Sequence, residues 1–173
     1  MTLVGIRIAC VVFFAAILQV SAFSSVVIGG RGLDVLLVVL VSIALLRGSI
    51  TGAITGFTAG IVVDVSTMGT LGITSLLLTL VGYWAGRYGE TTGRSRPQAP
   101  LIAVLSATLF TALGGFALHS MLGESVSVRA SLVPLVSALI INSALTYPVF
   151  TCVRRLVGAG ERAERGREIE LLV

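Results

Sequence analysis

Between Ile6 and Val157 the chain is a succession of apolar runs joined by short polar turns, with no long polar segment among them. That pattern decides the solvent. Charged residues make up 12% of the 173 positions and hydrophobic residues 55%, whereas soluble domains carry roughly 25% charged residues. A water-soluble fold of this size would lack the polar side chains to cover itself. The sequence therefore predicts an all-α integral membrane protein: one domain over residues 1–157 and a charged cytoplasmic tail over 158–173.

A helix crosses the hydrocarbon core with about 17 to 25 mostly apolar residues. The candidate spans are 6–23, 33–46, 49–65, 71–86, 100–122 and 132–157. The second is short, and it must tilt, sit in a thinned bilayer or begin earlier through "VVIGGRG". All twelve basic residues are arginine. With a cytoplasmic N-terminus, ten of them fall inside (Arg7, Arg47, Arg87, Arg94, Arg96, Arg154, Arg155, Arg162, Arg165 and Arg167), leaving Arg31 and Arg129 outside. Dropping or merging a run breaks that asymmetry. The positive-inside bias thus predicts a six-transmembrane-helix bundle in the plasma membrane with both ends cytoplasmic. The net charge of +4 belongs to span flanks with no interleaved aromatics, so a nucleic-acid partner is not expected. A competing reading takes Val20-Ser21-Ala22 as a signal-peptide cleavage site, giving a mature start at Phe23; the length of the run and the spans behind it favour a retained helix.

The connections are too short for a soluble catalytic module. "RYGETTGRSRPQA" reads as a solvated cytoplasmic turn ended by Pro100, and "HSMLGESVSVR" as an outer loop holding His119, Glu124 and Arg129. Cys10 and Cys152 lie in apolar runs and read as small buried residues, with no disulfide framework or metal cluster around them. The tail pairs Glu161 with Arg165 and Glu164 with Arg167 at helical spacing, as a solvated helix does; Leu171, Leu172 and Val173 offer a docking peptide as the alternative. No Ser/His/Asp set, paired carboxylates or phosphate-binding loop can be assembled, so neither an enzyme nor a cofactor is expected.

Candidate sites lie on the helices. In "RGSITGAITGFTAGIVVD" glycine recurs at Gly48, Gly52, Gly56 and Gly60. In water each interior glycine costs about 1 kcal/mol against alanine, but in lipid small residues let backbones approach closely. This groove is filled either from within the bundle, with Gly82, Gly86, Gly114 and Gly115 as possible complements, or by a partner helix. Asp64 ends the series. A carboxylate in a span costs about 2.5–3.5 kcal/mol at mid-depth, yet this one lies near the outer interface. It caps the following helix, as Ser66 or Thr67 also could, or pairs with Arg31, Arg129 or His119; a proton relay lacks a second acid. Asp34 opens the second span and reads as a helix cap. Asn142, near Ser137 and Ser143, reads as polar glue between helices, and Pro148 follows as a kink site.

The segment from Leu33 to Glu90 resembles the rod shape-determining protein MreD family. The features that carry it are Asp34 opening a span, Arg47-Gly48, the ladder Gly52 to Gly60 ending in Asp64, then Leu71-Gly72 and Gly82-Tyr83 with Gly86. The last span, with Asn142, Pro148 and Arg154-Arg155, is similar to the family's last helix. In the family a proline often precedes the acid of the second span; here Leu33 does. The resemblance implies a non-enzymatic scaffold of bacterial cell elongation, with MreC as foremost partner and MreB, RodA and a class B penicillin-binding protein beyond it in peptidoglycan synthesis. It also implies a fold similar to the six-helix substrate-capture subunits of energy-coupling-factor transporters. The alternative function is therefore a vitamin-like small-molecule binding subunit.

Overall fold

The computed structural model describes residues 2–19, 27–28, 31–32, 34–68, 70–92, 98–123 and 128–171. The cleavage pattern at 20–23, Glu124, the Arg31 and Arg129 side chains, the tail ion pairs and the last two residues lie outside what is described. Six helices account for nearly all the described residues: α1 Thr2–Leu18, α2 Val35–Arg47, α3 Ser49–Thr67, α4 Ile73–Thr92, α5 Ala99–Met121 and α6 Val128–Leu171. Between α1 and α2 a two-residue ladder pairs β1 (Val27–Ile28) with β2 (Arg31–Gly32) in antiparallel register, Val27 opposite Gly32. Among the described residues, three segments are long and apolar enough to cross a membrane: Ser49–Thr67, Ala99–Met121 and Leu135–Leu156.

The short second run lies at the centre of the bundle. At 13 residues, α2 is only about 20 Å long, short of the ~30 Å hydrocarbon thickness. It packs against all five other helices, and every residue from Leu36 to Leu45 is buried. A helix that is apolar on every side belongs inside a bundle. Protein rather than lipid surrounds α2, so its length need not match the bilayer. The buried core gathers α2 with Val12 and Ala16 of α1, Ala59 of α3, Leu78 and Val81 of α4, and Val104 of α5.

The outer helices show large apolar side chains outward, among them Phe14, Ile50, Phe57, Trp84, Ile102 and Ile140. That is the inverse of a water-facing surface and suits lipid contact. Hydroxyls are closed off locally: Ser42, Thr58, Thr108 and Thr151 each donate to the carbonyl four residues back, which hides a polar group in its own helix.

Two expectations need correction. The fourth apolar run stops at Gly86, but α4 begins only at Ile73 and continues to Thr92, taking in the start of the supposed solvated turn. Its polar last turns hold because Glu90 has partners on both sides, Arg87 in its own helix and Ser49 in α3. Cys10 and Cys152 are both free and exposed rather than buried; they sit on the outside of α1 and α6, where lipid accepts a small apolar group as well as a core does.

Candidate functional site

Gly52, Gly56 and Gly60 face α4 of the same chain. A Cβ at Gly52 would collide with the carbonyl oxygen of Gly82, one at Gly56 with that of Leu78, and one at Gly60 with the backbone of Ser75. From the other side, a Cβ at Gly82 would strike the Gly52 carbonyl, and one at Gly86 the backbone at Ser49. The two helices thus run antiparallel at backbone contact. Such an approach is open because α3 carries no side chain at these three positions. The groove is therefore filled from within and is not free for a partner. Gly48 stands apart from this seam. It joins α2 to α3 at φ +95°, a left-handed conformation that glycine adopts without cost, and a Cβ there would meet the Glu90 carboxylate. Gly114 faces the Leu77 side chain, so it packs a leucine rather than extending a glycine seam. Of the remaining motif residues, Gly72 turns the chain into α4 at φ +99°, while Leu71 and Tyr83 are exposed.

Each end of this hairpin is closed by a carboxylate. Asp64, 3% exposed, accepts at Oδ2 from the Gly72 N–H (2.9 Å), the Ser75 N–H (3.3 Å) and the Ser75 hydroxyl (3.1 Å). These donors belong to the first turn of α4, where backbone N–H groups have no partner within the helix. At the opposite end, Glu90 Oε1 accepts from the Ser49 N–H (2.8 Å) and hydroxyl (3.1 Å), the first turn of α3. Arg87 lies 3.6 Å from its Oε2. The Ser49 N–H, chiefly, holds the Glu90 carboxyl below the usual carboxylate range, and Arg87 adds to this.

Asp34 occupies the N-cap position of α2, but its side chain makes no capping bond. Its backbone, at φ −91° and ψ 59°, lies outside the β-region that aims a capping side chain over the first turn. Gln19, arriving from the end of α1, does that work instead. Its Oε1 accepts from the Leu36 N–H at 3.4 Å, and its Nε2 donates to Asp34 Oδ1 at 3.2 Å. Asn142 is 1% exposed and donates from Nδ2 to Thr108 Oγ1 at 3.0 Å, tying α6 to α5. Its Oδ1 is buried without a hydrogen-bond partner.

Among the described residues, hollows accompany this framework. A cavity of about 230 Å³ lies at the Asp64 end, where Gln19, Asp34, Thr74, Thr111 and His119 converge over Leu36, Leu77 and Leu78. A groove of about 620 Å³ runs between α1 and α3, with Gly5, Cys10 and Ala16 on one wall and Thr51, Thr55 and Ala59 on the other. A third, about 380 Å³, lies between α4 and α5 beside Trp84, Tyr88 and Phe110. Sequence reasoning missed Gln19 and Glu90. Gln19 carried a signal, as the one amide in its apolar run; Glu90 carried only its spacing from Arg87.

Compared with known protein families, residues 1–157 match the one described as MreD, rod shape-determining protein MreD. No curated protein and no solved structure matches the chain.

Proposed function

The chain belongs to the rod shape-determining protein MreD family, a family of bacterial membrane proteins with a role in rod shape, and on that premise we propose that it is the membrane scaffold that receives MreC. In this reading all six helices cross the plasma membrane with both ends cytoplasmic. The bundle holds the MreC membrane anchor and thereby couples MreB to peptidoglycan synthesis by RodA and a class B penicillin-binding protein. The role is assembly rather than catalysis. The observation that carries the reading is the family match across the whole bundle.

Because α4 fills the glycine seam, the anchor must be received elsewhere. The α1–α3 groove has the right character: it is apolar and carries small residues on both walls, among them Gly5, Ala16 and Ala59, beside Ile8, Phe13 and Ile54, and small residues favour close helix packing in lipid. The test is co-purification of MreC with Cys10→Trp and Thr58→Trp, which fill the groove from exposed positions. Both should express as monodisperse protein and lose MreC, while Ile102→Trp on the far side of the bundle should keep it. Retention of MreC by both groove variants would move the docking face away from α1 and α3.

One observation favours the second reading, a vitamin-like small-molecule binding subunit of an energy-coupling-factor transporter: the polar cavity at the Asp64 end. At about 230 Å³ it falls below the ~300–1,000 Å³ usual for ligand pockets, and no Phe, Tyr or Trp is among its lining residues. Titrating the purified protein with vitamins separates the readings, since a specific ligand raises the apparent thermal midpoint.

A further inference from the structure

We propose that the groove between α4 and α5 binds one glycerophospholipid, with an acyl chain along the groove and the phosphate beside Arg87. The inference goes beyond the scaffold reading and stands whether or not MreC docks between α1 and α3. It needs only that α4 and α5 lie in the bilayer.

The groove, about 380 Å³ in volume, follows a lipid's own gradient of polarity. Tyr88 lies four residues before the end of α4, and Ile102 three residues after the start of α5. This end therefore opens within about 6 Å of both helix ends. Val81 and Phe110 each lie eleven residues from those ends, about 16 Å along the helices. The deep end is apolar: Val81 and Ala107 are buried in its floor, and Phe110 stands exposed as a wall. The other end carries donors. Trp84 and Tyr88 line it one turn apart, and neither the indole N–H nor the phenol O–H has a hydrogen-bond partner. Beside them Arg87 is half-exposed and meets the Glu90 carboxylate alone, at 3.6 Å, so most of its five N–H groups are unspent.

The chemistry is complementary part by part. Indole and phenol groups at the membrane boundary seek a polar partner for one end and an apolar one for the other. The ester and phosphate oxygens of a phospholipid are acceptors, and a guanidinium suits a phosphate in charge and shape. The hydrocarbon chain then has the alanine and valine floor to lie on. A partner helix fits less well. The groove runs for only about 10 Å, against the ~30 Å that a crossing helix spans. Its rim is bulky, with Trp84, Ile102 and Phe110 all exposed, whereas helices that pack closely in lipid meet through small residues.

Trp84 is the one tryptophan in the chain, so its fluorescence reports on the groove directly. The experiment uses the full chain, delipidated in maltoside micelles, and titrates it with phosphatidylglycerol whose brominated acyl chains quench an indole on contact. Diacylglycerol with the same chains and no phosphate is the control. Phosphatidylglycerol should quench saturably at one lipid per chain. Diacylglycerol should bind about tenfold more weakly or worse, as expected for the loss of charge-assisted hydrogen bonds. Arg87→Gln should weaken phosphatidylglycerol binding several fold, and Tyr88→Phe, which keeps the ring and removes the donor, a few fold. Ser106→Leu fills the groove from an exposed position and should abolish saturable quenching without lowering the thermal midpoint. Equal quenching by the two lipids, or quenching that never saturates, would overturn the proposal. So would wild-type affinity in folded Arg87→Gln and Tyr88→Phe variants. Loss of MreC from Ser106→Leu with lipid binding unchanged would overturn it too, and would give the groove to a partner helix.

Discussion

Asp64 and Glu90 each stand near the C-terminal end of their own helix, where the macrodipole disfavours an anion. Each is nevertheless placed against the N-terminus of the other helix, where the dipole favours it and unpaired N–H groups need acceptors. The hairpin is thus closed reciprocally: α3 supplies the acid that caps α4, and α4 supplies the acid that caps α3. Asp64→Ala leaves the buried Ser75 donors and the Gly72 N–H without their acceptor, a loss of about 1–3 kcal/mol. Asp64→Asn keeps one oxygen acceptor and should cost less; thermal midpoints in detergent, ordered wild type, Asn, Ala, check this, and equal losses would mean that charge rather than the acceptor matters. Glu90, in the polar last turns of α4, gives a pH dependence. Its carboxyl is lowered in the folded chain, so the folded state binds fewer protons than the unfolded one in acid. Its contribution is fully present above the ordinary carboxylate pKa and is lost as pH falls through the lower folded value. The difference in midpoint between wild type and Glu90→Gln should therefore shrink on acidification, and a gap that stays constant with pH would remove the charged cap from the account. Asp64 stood out in the sequence because a carboxylate is rare in an apolar run. Glu90 did not, because its partner Ser49 is 41 residues away and no local pattern announces that meeting.

Among the elements, α3 is the one whose packing was most legible, since a glycine at every fourth position can only mark a close approach. What periodicity cannot supply is the partner, because α4 carries a matching small face at Gly82 and Gly86 but presents Leu78 and Ser75 at the other two contacts. At those two positions it is the backbone, not a second glycine, that meets α3. The shortness of α2 was legible too, but its central place was not: an apolar run reads alike whether lipid or five neighbouring helices surround it. The seam gives a discriminating pair of variants. Gly56→Ala drives a methyl into the Leu78 carbonyl, where rigid backbone must move, and overpacking of this kind costs about 1–3 kcal/mol. Gly5→Ala on α1 meets nothing within 4 Å and should stabilise by up to ~1 kcal/mol through helix propensity. Opposite signs in the thermal midpoint are expected; a neutral Gly56→Ala would mean that α3 and α4 stand farther apart than the seam requires.

For the molecule as a whole, the two ends of the bundle differ in kind. At one end the last turns of α1, α3 and α5 meet the first turns of α2 and α4 around Gln19, Asp34, Thr74 and His119. At the other, the α2–α3 junction meets the last turns of α4, bringing Glu90 beside Arg87 and Ser49, with Arg47 next to the junction glycine. In the six-span topology we propose, the arginine asymmetry puts the second end in the cytoplasm, with the cavity facing outward and both chain ends inside. The exposed cysteines make this testable without guessing at loops. In a Cys10→Ser, Cys152→Ser background, Ser120→Cys puts one thiol on an exposed position near the end of α5, and Thr91→Cys puts one on an exposed position near the end of α4. A membrane-impermeant maleimide added to cells with a permeable outer envelope should label Cys at position 120 directly, and at position 91 only once the plasma membrane is opened. The reverse pattern would invert the molecule, and labelling of both from outside would leave an even number of crossings between them, so that α5 does not span. Only the expected pattern leaves the cavity facing outward and Glu90 facing the cytoplasm, the arrangement that the proposed scaffold role requires if one small bundle is to meet a wall-side partner and a cytoskeletal one at opposite ends.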